Sequence, residues 1–252
     1  HTRYISVTGV QTCALPIYHG RQIRNELQSA QDTLANLGQG LQGRVRLSVP
    51  SGYGQMVMAP WLIAFQQLHP GVVLDVAFEN RAVDLVRDEI DIAVRVMSEP
   101  PEHLVARDLG EVRYVACMTP AVERQHRAPD TLEALAHLPV ITSGVVGRQV
   151  RLSAYLHGER HEVPLQPRLM SENFAFLREA VLAGLGVGLV PDYVVADAIA
   201  DGRVRTVLDN WKLSIFGSRM YLMYMPNRHP TRAMSVFIEF VLARARGAVP
   251  VS

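Results

Sequence analysis

Ser51, Gly52, Tyr53 and Gly54 follow the alternating run 44–49 and stand directly before an apolar helical pattern. A small polar residue at a strand's carboxyl end, beside a helix start, sets a hydroxyl next to free backbone N–H groups and partial positive charge. That combination suits a small polar ligand. The arrangement recurs at Thr142, Ser143 and Gly144 after Val140 and Ile141, and at Ser171, Glu172 and Asn173 after Met170. Ser and Asn also cap helices, so each position taken singly reads equally well as a cap. Jointly they point to a shared small-ligand cleft. Ser51 is the expected anchor for a carboxylate or similar oxygen, Gly52 and Gly54 let the backbone approach it, and Ser143 and Asn173 form the opposite wall. Glu172 would oppose an anion at its own helix start and favours a hydroxyl or amino group there.

Other chemistries are poorly supported. The run GLGVG over 184–188 resembles a dinucleotide fingerprint, but that motif leaves a strand and opens a helix. Here a helix ends at Gly184 and a strand begins at Val187, so the glycines read as a helix C-cap and a tight turn. His157 and His161 have i, i+4 spacing with Gly158 between them, and HGERHEV reads as a hairpin turn rather than a metal site. Only Cys13 and Cys117 are present, which argues against a disulfide framework, excludes a cysteine-rich metal site and fits a reducing compartment. No G-x-S-x-G elbow, P-loop, H-E-x-x-H or paired C-x-x-C occurs. An α/β enzyme is therefore the weakest reading, and no cofactor or metal is expected.

The elements that must position the cleft residues are strands and helices in alternation. Val45, Leu47 and Val49 predict a strand over 44–49, with a helix from about Gln55 carrying Val57, Met58, Trp61, Leu62, Phe65 and Leu68 on its apolar face. A strand over 72–78 completes a parallel strand-helix-strand unit. A helix over 82–89 and a strand over 91–96 repeat it. A second cycle runs through strands at 112–118, 140–141, 168–170, 187–190, 204–208 and 220–225, with helices at 132–136, 174–183, 193–200 and 231–245. Such alternation argues for an α/β fold.

A chain of 252 residues with 48% hydrophobic and 19% charged content buries a sizeable core, enough for two small domains. The net charge is +1, so the chain as a whole exerts no pull on nucleic acid or acidic membranes. No apolar run approaches the ~18 residues that span a bilayer, and no secretory signal pattern is present. The expectation is a cytoplasmic protein with no membrane partner.

Residues 1–18 have no period that continues into their neighbours. HTRYISVTGVQTCALPI resembles translated sequencing-adapter read-through, so this segment is expected to be non-native and to precede the authentic chain, a natural disordered tail being the alternative. Over 21–37, Ile23, Leu27, Ala30, Leu34 and Leu37 share one helix face, a heptad-like seam fit for pairing. Gly38, Gly40 and Gly43 then form a hinge.

The stretches GRVRLSVPSGYG, PWLIAFQQLHPGVVLDV, DEIDIAVRV, PRLMSENFAFLREAVLAGLGVGLVPDYVV and FIEFVLARAR, in that order, resemble the effector-binding part of LysR-type transcriptional regulators. The resemblance implies two Rossmann-like α/β subdomains of periplasmic-binding-protein type, joined by two crossover strands and preceded by a linker helix. It places the linker and hinge at 19–43, subdomain I at 44–112 plus 217–246, and subdomain II at 113–216. It implies a small-molecule effector between them, with contacts from Ser51, Gly52, Tyr53, Arg95, Met97, Ser98, Thr142, Ser143, Glu172, Asn173 and Phe174. Arg95 reads equally as an effector contact or as a residue that faces solvent or pairs with an acid. The resemblance further implies a homodimer or homotetramer, with Ile23, Leu27 and Leu34 at the dimerisation seam. Promoter DNA would be bound only by an N-terminal winged helix-turn-helix domain that the adapter-like segment replaces. A transporter's solute-binding protein of similar two-lobed fold is the alternative.

Overall fold

The computed structural model describes residues 40–81, 84–144, 149–226 and 230–247. The segment 1–18 and the helix expected over 21–37, with Ile23, Leu27 and Leu34, lie outside them. Val45, Leu47 and Val49 point into the core from β1 (Gly43–Val49), while Arg44, Arg46 and Ser48 alternate onto the other face. Pro50 ends the strand. A continuous helical run, α1, then spans 51–68 as a turn Ser51–Tyr53, a π-helical segment Gly54–Met58 and the helix Ala59–Leu68. The helix thus starts at Ser51 rather than at Gln55. The four residues read as a strand-to-helix connection form its first turn, because Pro50 supplies the N-cap and its carbonyl accepts from Gly54 N–H.

β2 (Val72–Phe78) and β3 (Ile92–Met97) both pair with β1 in parallel. The helix expected over 82–89 is not formed over its described part. Residues 85–89 are turns, and Glu89 has a φ of 56°, a left-handed conformation that ends helical winding. β4 (Val105–Glu111) was not anticipated. The chain then crosses to β5 (Tyr114–Met118), α2 (Pro120–His126), α3 (Leu132–Ala136), β6 (Val140–Thr142) and the hairpin of β7 (Val150–Leu156) and β8 (Glu159–Leu165). That hairpin turns through His157 and Gly158, both at positive φ, which matches the type I′ geometry of two-residue turns. β9 (Leu169–Met170), α4 (Phe174–Leu182), β10 (Val187–Pro191), α5 (Asp192–Ala200), β11 (Arg205–Val207) and β12 (Lys212–Ser214) follow. The chain crosses back to β13 (Arg219–Tyr224) and ends in α6 (Arg232–Gly247).

Two sheets result. The first has the order β2-β1-β3-β13-β4, and the second runs β8-β7-β12-β5-β10-β6-β9 with β11 on β5. On the first, Leu47, Val49, Ile92 and Leu222 pack with Met58, Leu62 and Phe65 of α1 and with Phe237 and Val241 of α6. Phe65 and Phe237 meet edge-to-face at 5.0 Å. On the second, Cys117, Ile141 and Val190 pack with Leu177 and Val181 of α4 and with Val194 and Ala198 of α5. Burial pushes the Cys117 thiol up to about 12, so it is a packing residue rather than a nucleophile.

α4 ends as the glycines suggested. Gly184 takes a φ of 73°, its N–H donates to Val181 O, and Leu185 N–H donates to Ala180 O, the two bonds of a Schellman cap. Gly188 follows in β10 where an added β-carbon would lie 2.4 Å from Val181 Cγ2. The run GLGVG therefore closes a helix and packs a strand, and cradles no phosphate.

Two adjacent segments join the sheets. Val112 N–H donates to Ser218 O at 2.8 Å, tying the outgoing crossing to the returning one. At Gly217, with a φ of 128°, a β-carbon would come within 2.5 Å of the Met97 carbonyl carbon, so only glycine fits this crossing.

Candidate functional site

The register of each sheet brings particular strand ends together. In the second sheet Tyr114 lies opposite Pro191, Leu189 opposite Thr142, and Thr142 opposite Met170, so these residues mark a single edge. The carboxyl ends of β1 and β2 do the same in the first sheet at Val49 and Phe78. Residues just past these ends face each other across a cavity of about 360 Å³ lined by Ser51, Gly52, Gln55, Glu79, Asn80, Glu172, Asn173, Phe174 and Ala175. Both lobes contribute to its wall. Strand carboxyl ends are where open α/β sheets hold ligands.

Ser51, Gly52, Glu172, Asn173 and Phe174, all anticipated, are thus assembled at one place, though not with the expected roles. Ser51 does not cap α1, since no side chain does so. Its backbone N–H donates to Asn80 Oδ1 at 3.0 Å, and Asn80 Nδ2 in turn donates to Glu172 O across the cavity at 3.0 Å. Asn173 is a true cap, its Oδ1 accepting from Phe176 N–H at 3.0 Å, and Ser171 Oγ accepts from Asn173 N–H. Gly52 and Gly54 leave room for rings rather than for ligand. A β-carbon at Gly52 would lie 2.4 Å from Phe174 Cδ2, and one at Gly54 would lie 2.4 Å from Phe78 Cδ1.

The other anticipated residues stand outside this wall. Thr142 is buried and its hydroxyl donates to Leu189 O at 2.7 Å, which spends it on the sheet. Met97 and Ser98 sit against the Gly217 crossing. Arg95 is neither solvent-facing nor ion-paired: its guanidinium donates to Ser48 Oγ at 2.6 Å, Val94 O at 2.6 Å and Arg81 O at 3.1 Å, while Nε is buried without a partner among the described residues. Burial moves it below the usual guanidinium range, opposed by the nearby Glu79 carboxylate. Ser48 Oγ passes the contact on by donating to Glu79 Oε1 at 2.8 Å, and Arg81 Nε holds Glu79 Oε2 at 2.6 Å. Glu79 therefore reaches the cavity as an oriented, compensated carboxylate.

Beneath the cavity the lobes meet through aromatic rings. Tyr53 of α1 lies edge-on to Tyr193 of α5 at 5.7 Å and to Trp61 at 6.5 Å, and Phe174 is 6.4 Å from Tyr193. Burial pushes the Tyr53 phenol up to about 12 and raises Tyr114 and Tyr193 further, so all three stay protonated. Ser143 Oγ is buried close to the Tyr114 hydroxyl without meeting hydrogen-bond geometry. Sequence reasoning missed Gln55, Glu79, Asn80, Tyr114, Ala175 and Tyr193. Glu79 and Asn80 follow β2 as Ser51 follows β1, so the strand-end rule would have reached them.

Among the described residues, the cavity wall holds no histidine, cysteine or cation, and no group of three or more His, Cys, Asp and Glu side chains is placed to hold a metal. The arrangement can bind and orient a polar molecule. No described helix is long and apolar enough to cross a membrane.

The family described as the LysR substrate binding domain matches residues 38–246. The probable HTH-type transcriptional regulator LtrA of Klebsiella pneumoniae is 28% identical over 224 residues, covering 88% of this chain and 72% of that protein. An HTH-type transcriptional regulator of Xanthomonas campestris pv. campestris is 31% identical over 214 residues, 83% of this chain and 62% of its own length. Among solved structures, the regulatory domain of AphB in Vibrio vulnificus superposes with a TM-score of 0.68 at 25% identity, covering 80% of this chain and all (100%) of that one. The full-length Vibrio cholerae virulence activator AphB, a member of the LTTR family, gives 0.72 at 25% identity over 92% of this chain and 79% of its own. The two sequence relatives carry the names of HTH-type transcriptional regulators, and the Vibrio cholerae protein that of a virulence activator of the LTTR family.

Proposed function

The chain belongs to the LysR substrate-binding-domain family, and from that premise we propose that the cavity between its two sheets is the site where a small polar effector is sensed. One observation carries the reading: Ser51, Gly52, Gln55, Glu79 and Asn80 come from one lobe and Glu172, Asn173, Phe174 and Ala175 from the other, so a single occupant touches both. A ligand that contacts both lobes has different affinity for their open and closed arrangements, and that difference is what shifts the equilibrium between them. Subdomain I comprises 44–112 plus 217–246 and subdomain II comprises 113–216. In the intact protein the shift reaches promoter DNA through an N-terminal helix-turn-helix domain of the kind named in the relatives. The setting is cytoplasmic.

Self-association is part of the same proposal. Ile63 and Leu68 on α1 and Val73 on β2 are exposed apolar residues of the first lobe, and Phe176 and Leu185 are exposed apolar residues of the second. An antiparallel pair of chains sets each patch against its counterpart twice, an isologous homodimer. A homotetramer adds contacts from the segment that contains Ile23, Leu27 and Leu34.

The test of the site is Ser51→Ala, measured with a metabolite identified by a thermal-shift screen. The Ser51 hydroxyl neither caps α1 nor makes a hydrogen bond among the described residues, so stability should stay within about 0.5 kcal/mol. Losing a hydroxyl bond to an uncharged ligand group costs about 0.5 to 1.5 kcal/mol, so calorimetry should show affinity falling roughly 2- to 13-fold. Unchanged affinity rejects Ser51 as the anchor.

A further inference from the structure

We propose that Asn80 is a built-in occupant of this cavity, its carboxamide standing where the polar head of the effector binds, and that the displacing head is an uncharged or cationic group with an acceptor and a donor side by side. The inference rests on the cavity being the effector site. Its ground is the bridge from Ser51 N–H to Asn80 Oδ1 and from Asn80 Nδ2 to Glu172 O, each bond 3.0 Å. The partners fix the amide's orientation, because an N–H must meet oxygen and a carbonyl must meet N–H. One exposed side chain thus satisfies a donor at the start of α1 and an acceptor just before α4, on opposite lobes.

The same two backbone groups are what a ligand in this cavity would use. To replace both bonds, a ligand head must accept from Ser51 N–H and donate to Glu172 O within the span of a carboxamide. A carboxylate replaces only the first bond and leaves the carbonyl without a donor. It would also approach the Glu172 carboxylate, which has no cationic partner among the described residues. Glu79 is already held by Ser48 and Arg81, whereas the Glu172 carboxylate has no partner among the described residues, so a donor-bearing head has a second acceptor at hand. Amide, amino-amide and hydroxy-amide heads fit. Dicarboxylates do not. Because the occupant belongs to the chain, it competes with every ligand, and removing it should tighten binding of any head that makes the same two bonds.

The experiment is chemical rescue of Asn80→Ala, followed by ¹⁵N–¹H spectra of the full chain, with acetamide as the probe and acetate as its isosteric contrast. A fragment of this size has an expected Kd of about 0.1 M or tighter, so titration to roughly 0.5 M covers the range. The expected result is a saturable shift of the Ser51 and Asn173 amide signals with acetamide in Asn80→Ala. The wild type should need at least about five-fold more acetamide, and acetate should give no comparable shift. Acetate binding as well as acetamide, or equal titrations in the two proteins, overturns Asn80 as occupant while leaving the cavity as the site. Saturable shifts confined to residues away from 51 and 172–174 overturn both readings, and no saturable shift in either protein overturns the proposed occupant.

Discussion

Gly52→Ala tests the seam between the lobes, because its effect should reverse sign when one ring is removed. A β-carbon at position 52 would lie 2.4 Å from Phe174 Cδ2 and 3.1 Å from Phe174 Cβ and Cγ. Carbon atoms prefer about 3.5 to 4.0 Å, so the contact is short by more than ~1 Å. Phe174 cannot swing its ring clear, since Cβ is itself crowded and Asn173 caps the helix it opens. The strain is relieved by parting the lobes or by shifting α4, and overpacking of this kind costs about 1 to 3 kcal/mol. Against it stands the gain of about 0.4 to 1 kcal/mol from replacing glycine by alanine in a helical conformation. Gly52→Ala should therefore range from nearly neutral to ~2.5 kcal/mol destabilising by urea denaturation. In a Phe174→Ala background the same change should be stabilising by about 0.4 to 1 kcal/mol, a coupling of about 1 to 3 kcal/mol in a double-mutant cycle. Gly188→Ala is the control. Its β-carbon would meet Val181 Cγ2 at 2.4 Å inside one lobe, so it should stay destabilising in both backgrounds. No change of sign at position 52 on removing Phe174 refutes the argument that the ring closes the seam.

Two further outcomes are expected. Asp197 is held below the ordinary carboxylate range, chiefly by its hydrogen bond from Arg178, which outweighs desolvation. Its pairing contributes stability that is present above the unfolded carboxylate pKa and is lost as pH falls through the depressed folded value. The acid limb of the thermal midpoint below about pH 4 should consequently be shallower in Asp197→Asn than in the wild type, and superimposable limbs would contradict this. Leu68→Glu puts a charge into the exposed apolar patch of α1, so sedimentation at micromolar concentration should show less association than the wild type, and an undiminished oligomer would remove that patch from the interface.

Local patterns announced what local forces decide. The alternation of 44–49, the turn at His157 and Gly158 and the helix end at Gly184 follow from backbone preferences of a few residues, and each stands where its residues pointed. β4 was illegible because VARDLGE has no clean alternation. It is a strand by pairing with β13 more than a hundred residues later, with an irregularity beside Gly110, whose φ is 116°. The helix expected over 82–89 had the right apolar spacing for one turn, but Asp84, Asp88 and Arg81 bind one another and the backbone instead.

At the site, residue type proved a poor guide to partner. Thr142 and Arg95 are polar and stand near strand ends, yet Thr142 spends its hydroxyl on the sheet and Arg95 spends its terminal nitrogens on Ser48, Val94 and Arg81. Ser51 and Asn173 differ in the opposite way, one free at its side chain and the other committed to a cap. What remains available at the cavity is set by which groups the fold has left unspent, and tertiary contacts decide that. The same accounting explains how a weak ligand could work here. The lobes are fastened by the chain crossings at Val112 and Ser218, and touch elsewhere through the Asn80 bridge, the Tyr53–Tyr193 ring contact and Met56, which packs on the second core. A coupling of about 1 to 3 kcal/mol, the usual range between linked sites, corresponds to a bias of roughly 5- to 150-fold between arrangements, so an effector needs only a differential affinity of that order.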